Sequence, residues 1–175
     1  IDGGSGVDIP RLATSVDTTL NLTTIADGQI QNIEVIDIRG TTMTTANTLT
    51  LSAREVLNIT GGGRDAFLGQ LNGGSISNTL TVLRDRNDVV NMGAGWTKLS
   101  TAFFGNAPTA GATPGPNRPV FFEAYTQGNA TLLLESQQVI LNGTVVEVYG
   151  TALADHFTFD HDTNILSITT AGVTV

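Results

Sequence analysis

The sequence predicts an all-β fold, with a β-solenoid-like N-terminal lobe and antiparallel hairpins in a C-terminal lobe; a β-sandwich is the alternative. Two observations carry this. Short apolar runs rich in Val, Ile, Leu and Thr recur along the chain, separated by Gly, Asn and Asp, and almost no segment keeps a helical period for three turns. In addition, Asn47-Thr-Leu-Thr-Leu51 returns 31 residues later as Asn78-Thr-Leu-Thr-Val82, and each copy is followed by a second apolar cluster, at 56–59 and 89–92. A strand, a corner and a second strand repeated at a fixed period is the pattern of stacked rungs, each covering the apolar side of the next.

Taken in order, the strand-sized runs fall at residues 33–38, 48–51, 79–83, 89–92, 120–125, 130–135, 145–149, 156–159 and 165–169. One helix is expected to start at Ser52, because Ser52 and Glu55 have the spacing of a reciprocal capping box. Residues 60–75 hold two glycine clusters, and residues 103–119 hold four of the five prolines, so both are expected to be surface loops. The second loop divides the chain into lobes at 1–102 and 120–175. In the latter, Gln127-Gly-Asn129, Asn142-Gly143 and residues 160–164 supply turns between strands.

Composition narrows the function. There is no cysteine, which removes disulfides and thiolate metal sites. Sixteen acidic against eight basic residues give a net charge of −8, and the basic residues are scattered, so neither a phosphate backbone nor an anionic membrane surface is an expected partner. No apolar run approaches the length needed to span a bilayer. Scarce lysine with abundant Thr, Asn and Gly points to an extracellular, bacterial setting. The start, Ile-Asp-Gly-Gly, reads as that of a piece of something longer.

The opening Gly3-Gly4-Ser5-Gly6-Val7-Asp8 matches the GGxGxD core of a calcium-binding nonapeptide. Glycines there allow a tight turn in which carbonyl oxygens and a carboxylate surround a hard cation. Further on, IEVIDIRG, NTLTLSAREVLNIT, NTLTVLRDRNDVVNMGAGW, AYTQGNATLLLE and VYGTALADHFTFD follow one another in an order covering most of the chain. With these segments the chain resembles the RTX-type calcium-binding repeats and cadherin-like repeat modules of large bacterial type I-secreted surface proteins and adhesins. It differs from them in Pro10, in its two long insertions and in Leu83-Arg84-Asp85-Arg86. The resemblance implies Ca²⁺ at Gly3, Gly4, Gly6 and Asp8, a place on the cell surface, and a mechanical role in place of a reaction.

Two further groups of oxygen side chains either wrap a cation or populate solvated corners: Asp85, Asn87 and Asp88, and Asp155, Asp160, Asp162 and Asn164. His156 and His161 have no metal-site or nucleophile motif around them, and no GxSxG occurs, so no catalytic residue is expected. Trp96, after Gly93-Ala-Gly95, is expected to plug the core. Asn21, Asn58, Asn129 and Asn142 begin Asn-x-Thr sequons, which a Thr- and Asn-rich strand sequence also produces.

The function expected is that of an extracellular structural module, associating with copies of itself, with neighbouring modules or with surface polysaccharide. The alternative is a carbohydrate-binding or matrix-degrading domain. Self-association is expected through Leu166, Ile168, Val173 and Val175, because the last eleven residues lack the lysine, proline or charge that blunts a strand edge.

Overall fold

The computed structural model describes residues 1–12, 14–40, 45–61, 78–107, 118–136, 139–142, 145–148, 155–160, 165–170 and 173–174; for 100–107, 118–121 and beyond 136 it describes the main chain alone. Among these residues the chain is β-rich, with thirteen strands and one short helix. They are β1 (Thr19–Asn21), β2 (Val35–Asp37), β3 (Thr48–Thr50), α1 (Ala53–Thr60), β4 (Thr79–Leu83), β5 (Val89–Asn91), β6 (Thr97–Ala107) and β7 (Arg118–Gln127). There follow β8 (Ala130–Glu135), β9 (Val139–Asn142), β10 (Val145–Val148), β11 (Asp155–Asp160), β12 (Ile165–Thr170) and β13 (Val173–Thr174).

Two sheets organise the first 135 residues. In one, β1, β3 and β5 pair in parallel with Leu20, Leu49 and Val90 in register. In the other, β2, β4 and β8 pair in parallel and the sheet continues antiparallel through β7 to β6. The N-terminal segment runs along the outer edge of β2: Gly3 N–H donates to Gln31 O at 3.1 Å and Asp37 N–H to Pro10 O at 3.0 Å. Parallel neighbours need long connections, and α1 lies within those that lead from β2 to β4 and from β3 to β5.

The core lies where Leu22, Leu49, Leu51, Val56 and Ile59 meet Ile36, Ile38, Leu80, Val82, Leu132 and Leu134. Residues that alternate with these along the larger sheet, Val35, Thr81, Leu83 and Leu133, are at most 1% exposed. Both faces of β2, β4 and β8 are therefore buried, which explains why these strands read as unbroken apolar runs. Helix α1 forms as expected. Ser52 Oγ accepts from Arg54 N–H at 3.2 Å and Glu55 Oε2 accepts from Ser52 N–H at 2.9 Å. Gly61, left-handed at φ 59°, ends the helix.

The fold departs from the sequence reading in three places. The two NTLT copies lie on different sheets, as β3 and β4, and stack on other partners. β6 and β7 extend into the segment expected to be a loop, reaching Ala107 and resuming at Arg118; Pro119 is accommodated because β8 pairs β7 only from Phe122 onward. β7 and β8 also join β2 and β4, so one sheet spans both sides of residue 102. Gly128 and Asn129 make the tight turn between β7 and β8, with Gly128 at φ 58°. C-terminally, β9 pairs antiparallel with β10, and β12 with β11 and β13.

Candidate functional site

The glycine motif forms a turn against residues 31–34. Gly4 and Gly6 take φ of 82° and 128°. A methyl group on Gly3 would overlap the Asn32 carbonyl oxygen and come within 2.8 Å of Asp8 Cβ and Cγ, so only glycine lets these groups converge. Asp2 fastens the turn, accepting from Asn32 Nδ2 at 2.7 Å, Gln31 Nε2 at 3.0 Å and Gly4 N–H at 3.0 Å; these bonds hold its carboxyl below the usual range. Asp8 N–H donates to Glu34 Oε2 at 3.0 Å, and Glu34 is 6% exposed. Asp8 Oδ2 is itself buried and has no hydrogen-bond donor. Sequence reasoning named Gly3, Gly4, Gly6 and Asp8 but not Asp2, Asn32 or Glu34.

The Asp85, Asn87 and Asp88 group sits in the turn from β4 into β5. Asp88 is 3% exposed; its Oδ1 accepts from Asn47 N–H at 2.8 Å and its Oδ2 from Asp85 N–H at 2.7 Å. Desolvation raises the Asp88 pKa, and the two amide bonds oppose the rise. Asn47 repeats the device one strand earlier, its Oδ1 accepting from Thr18 N–H at 3.0 Å while its Nδ2 donates to Ile38 O at 2.7 Å. Thr18, Asn47 and Asp88 thus form a polar ladder at the corner before β1, β3 and β5.

A second polar group adjoins this corner, at the C-terminal ends of β2, β4 and β8. Asp37, 1% exposed, takes Arg39 in a two-pronged bond, both distances 2.9 Å, and faces Arg11 at 3.6 Å. Burial pulls the Arg39 pKa down, but the Asp37 bonds outweigh it and leave it raised. Glu135 Oε2 accepts from Arg84 N–H at 3.1 Å, and Glu135 O from Arg84 Nε at 2.9 Å; desolvation lowers the Arg84 pKa. Glu123 accepts from Tyr125 Oη at 2.9 Å and pairs with Lys98 at 3.2 Å. Desolvation first, and Glu123 second, raise the Tyr125 phenol. Arg11 with Asp37, Arg84 with Glu135 and Lys98 with Glu123 tie neighbouring segments across the sheet, whereas Asp37 with Arg39 and Glu123 with Tyr125 are local pairs two residues apart. The signal that could have found them is a charge inside an otherwise apolar run, as at Glu34 and Asp37 in IEVIDI.

Trp96 packs partly buried against the core, with Nε1–H donating to Met92 O at 2.8 Å. Asp155 and Asp160 are the end residues of β11, in register with Thr170 and Ile165. Leu166 and Ile168 lie on β12 opposite Phe159 and Phe157, and Val173 lies on β13 opposite Thr170. Asp162, His161, Asn164 and Val175 are outside the described residues. Among the described residues no three His, Asp or Glu side chains gather as a metal cluster, and no helix is long and apolar enough to cross a membrane. No protein-family model, curated protein or solved structure matches the chain.

Proposed function

We propose that this chain is an extracellular structural module of a bacterial surface protein or fibre, β-solenoid-like in its N-terminal lobe, calcium-stabilised, and joined end to end with neighbouring modules or copies of itself. One observation supports it most: sequence-distant segments stack in parallel and in register in two sheets, with a glycine-rich turn at one end and a repeated polar corner between strands. Stacking of this kind extends a body in one direction and presents similar edges along it, which suits a spacer or scaffold. The donors around Asp8 are all hard oxygens, and the buried, donorless Asp8 Oδ2 beside the Gly3 cradle fits a calcium ion. Bound there, calcium would supply positive charge that offsets a −8 chain.

Immunolabelling of intact source cells tests the location: label on unpermeabilised cells is expected, and label only after permeabilisation overturns it. Specific retention on a polysaccharide panel, or hydrolysis of one, would favour the carbohydrate-directed alternative. Removing residues 166–175 from assembled material tests end-to-end joining through the last strands. Unchanged assembly would exclude that edge.

A further inference from the structure

We infer that Glu34, which lies outside the glycine motif, is the second acidic ligand of a divalent-cation site whose first is Asp8. This rests on the calcium reading above and adds to it a residue that the motif does not contain. Asp8 belongs to the N-terminal segment and Glu34 to the approach to β2, and the two segments run side by side, with Val35 N–H donating to Asp8 O at 3.3 Å. The Glu34 carboxylate folds back onto the Asp8 amide at 3.0 Å. Glu34, 6% exposed, thus reaches the main chain of the residue whose own Oδ2 is wholly buried without a donor.

Burying a carboxylate oxygen with no partner is costly. Relief comes from a basic side chain, donated hydrogen bonds, a proton or a cation. Among the described residues the ion pairs of Arg and Lys go to Asp37, Asp27 and Glu123, and none goes to Asp8 or Glu34. Asp2 marks the contrast: its carboxylate, in the same turn, is met by three amide donors and needs no ion. The absence of a side chain on Gly3 lets the Asn32 carbonyl oxygen and the Asp8 side chain, through its Cβ and Cγ, close in on the same residue. Two carboxylates and main-chain carbonyl oxygens are calcium chemistry, with water completing the six to eight oxygens that the ion takes. The site spans two adjacent segments, so the cation would cross-link the N-terminal segment to the sheet.

Calorimetric titration of the 175-residue chain with CaCl₂, with melting followed in parallel, tests the assignment. Glu34→Gln keeps an acceptor for the Asp8 amide and removes only the charge; Asp8→Asn is its companion, and circular dichroism without calcium checks that both fold. The expected result is one Ca²⁺ per wild-type chain, affinity weakened at least about tenfold in each variant, and a calcium-induced rise in melting temperature that both variants lose. Wild-type affinity in Glu34→Gln with loss in Asp8→Asn overturns the role of Glu34 and leaves the calcium reading standing. No binding by the wild type overturns both.

Discussion

The two parallel stacks share one chain and nearly one register, yet they are held in different ways. In β1-β3-β5 the strands are three residues long, Leu49 is buried between its neighbours, and the outer strand leaves Val89 48% exposed. Its order comes from the corner, where Thr18, Asn47 and Asp88 hand one main-chain amide to the next side chain. In β2-β4-β8 both faces are buried, and Arg84 of the β4 end ties to Glu135 of β8. The lesson is that a stack of three-residue strands, with little area to bury, leans on polar registration at its corner, whereas one buried on both faces is registered by the fit of its packed side chains.

Truncation in the doubly buried sheet should have the largest effect. Leu80→Ala is expected to cost about 4 kcal/mol, while Val89→Ala should stay within about 0.5 kcal/mol. Equal shifts of the urea midpoint in the two variants would break the contrast between the stacks. Asp37→Asn, which leaves Arg39 facing a neutral amide, should cost about 3 kcal/mol. Adding Arg39→Met should recover part of the loss if it comes from the unpaired Arg39 charge, and none if Asp37 matters only by its shape.

For the corner, Asn47→Ala leaves the Thr18 N–H and Ile38 C=O without their partner and should cost about 2 kcal/mol. A loss close to zero in chemical unfolding would show that packing alone registers the thinner stack. The smallest effect is at alkaline pH. The Tyr125 phenol is raised above its usual value of 10, so the unfolded chain releases this proton first, and the stability tied to it is complete below pH 10 and declines above it. A spectrophotometric titration should therefore show one of the two tyrosines ionising late, together with unfolding, and Tyr125→Phe should remove that phase. Normal ionisation of both while the chain is folded would contradict burial of the Tyr125 hydroxyl.

Much of the β content was legible because strand-sized apolar runs bounded by Gly, Asn and Asp encode local extension, and Ser52 with Glu55 encodes a helix start within four residues. The pairing was harder to read. Asn47-Thr-Leu-Thr and Asn78-Thr-Leu-Thr look alike because each opens a strand after a polar corner, but which strand each meets depends on the length of the intervening connections, which local sequence does not encode. β1 and the first half of β6, Thr-Leu-Asn and Thr-Lys-Leu-Ser, are too short or too polar to announce themselves. At the glycine turn the motif pointed to Gly3, Gly4, Gly6 and Asp8. Glu34 and Asn32 reach it only through the pairing of distant segments, and the Asp37 to Glu135 group is hidden for the same reason.

The insertion of the β6–β7 hairpin between β5 and β8 has a consequence for the order in which the chain is made. β4 receives β2 from residues already translated, but its other neighbour, β8, emerges only after the whole hairpin. At roughly 5–20 residues per second the delay is several seconds, during which β4 presents a bare apolar edge on the nascent chain. Arg84, directly after β4, places a charge at the tip of that edge, and it meets Glu135 only when β8 arrives. The same arginine whose contact with Glu135 closes the sheet would thus shield a waiting strand during synthesis, when a hydrophobic edge is most exposed to the wrong partner.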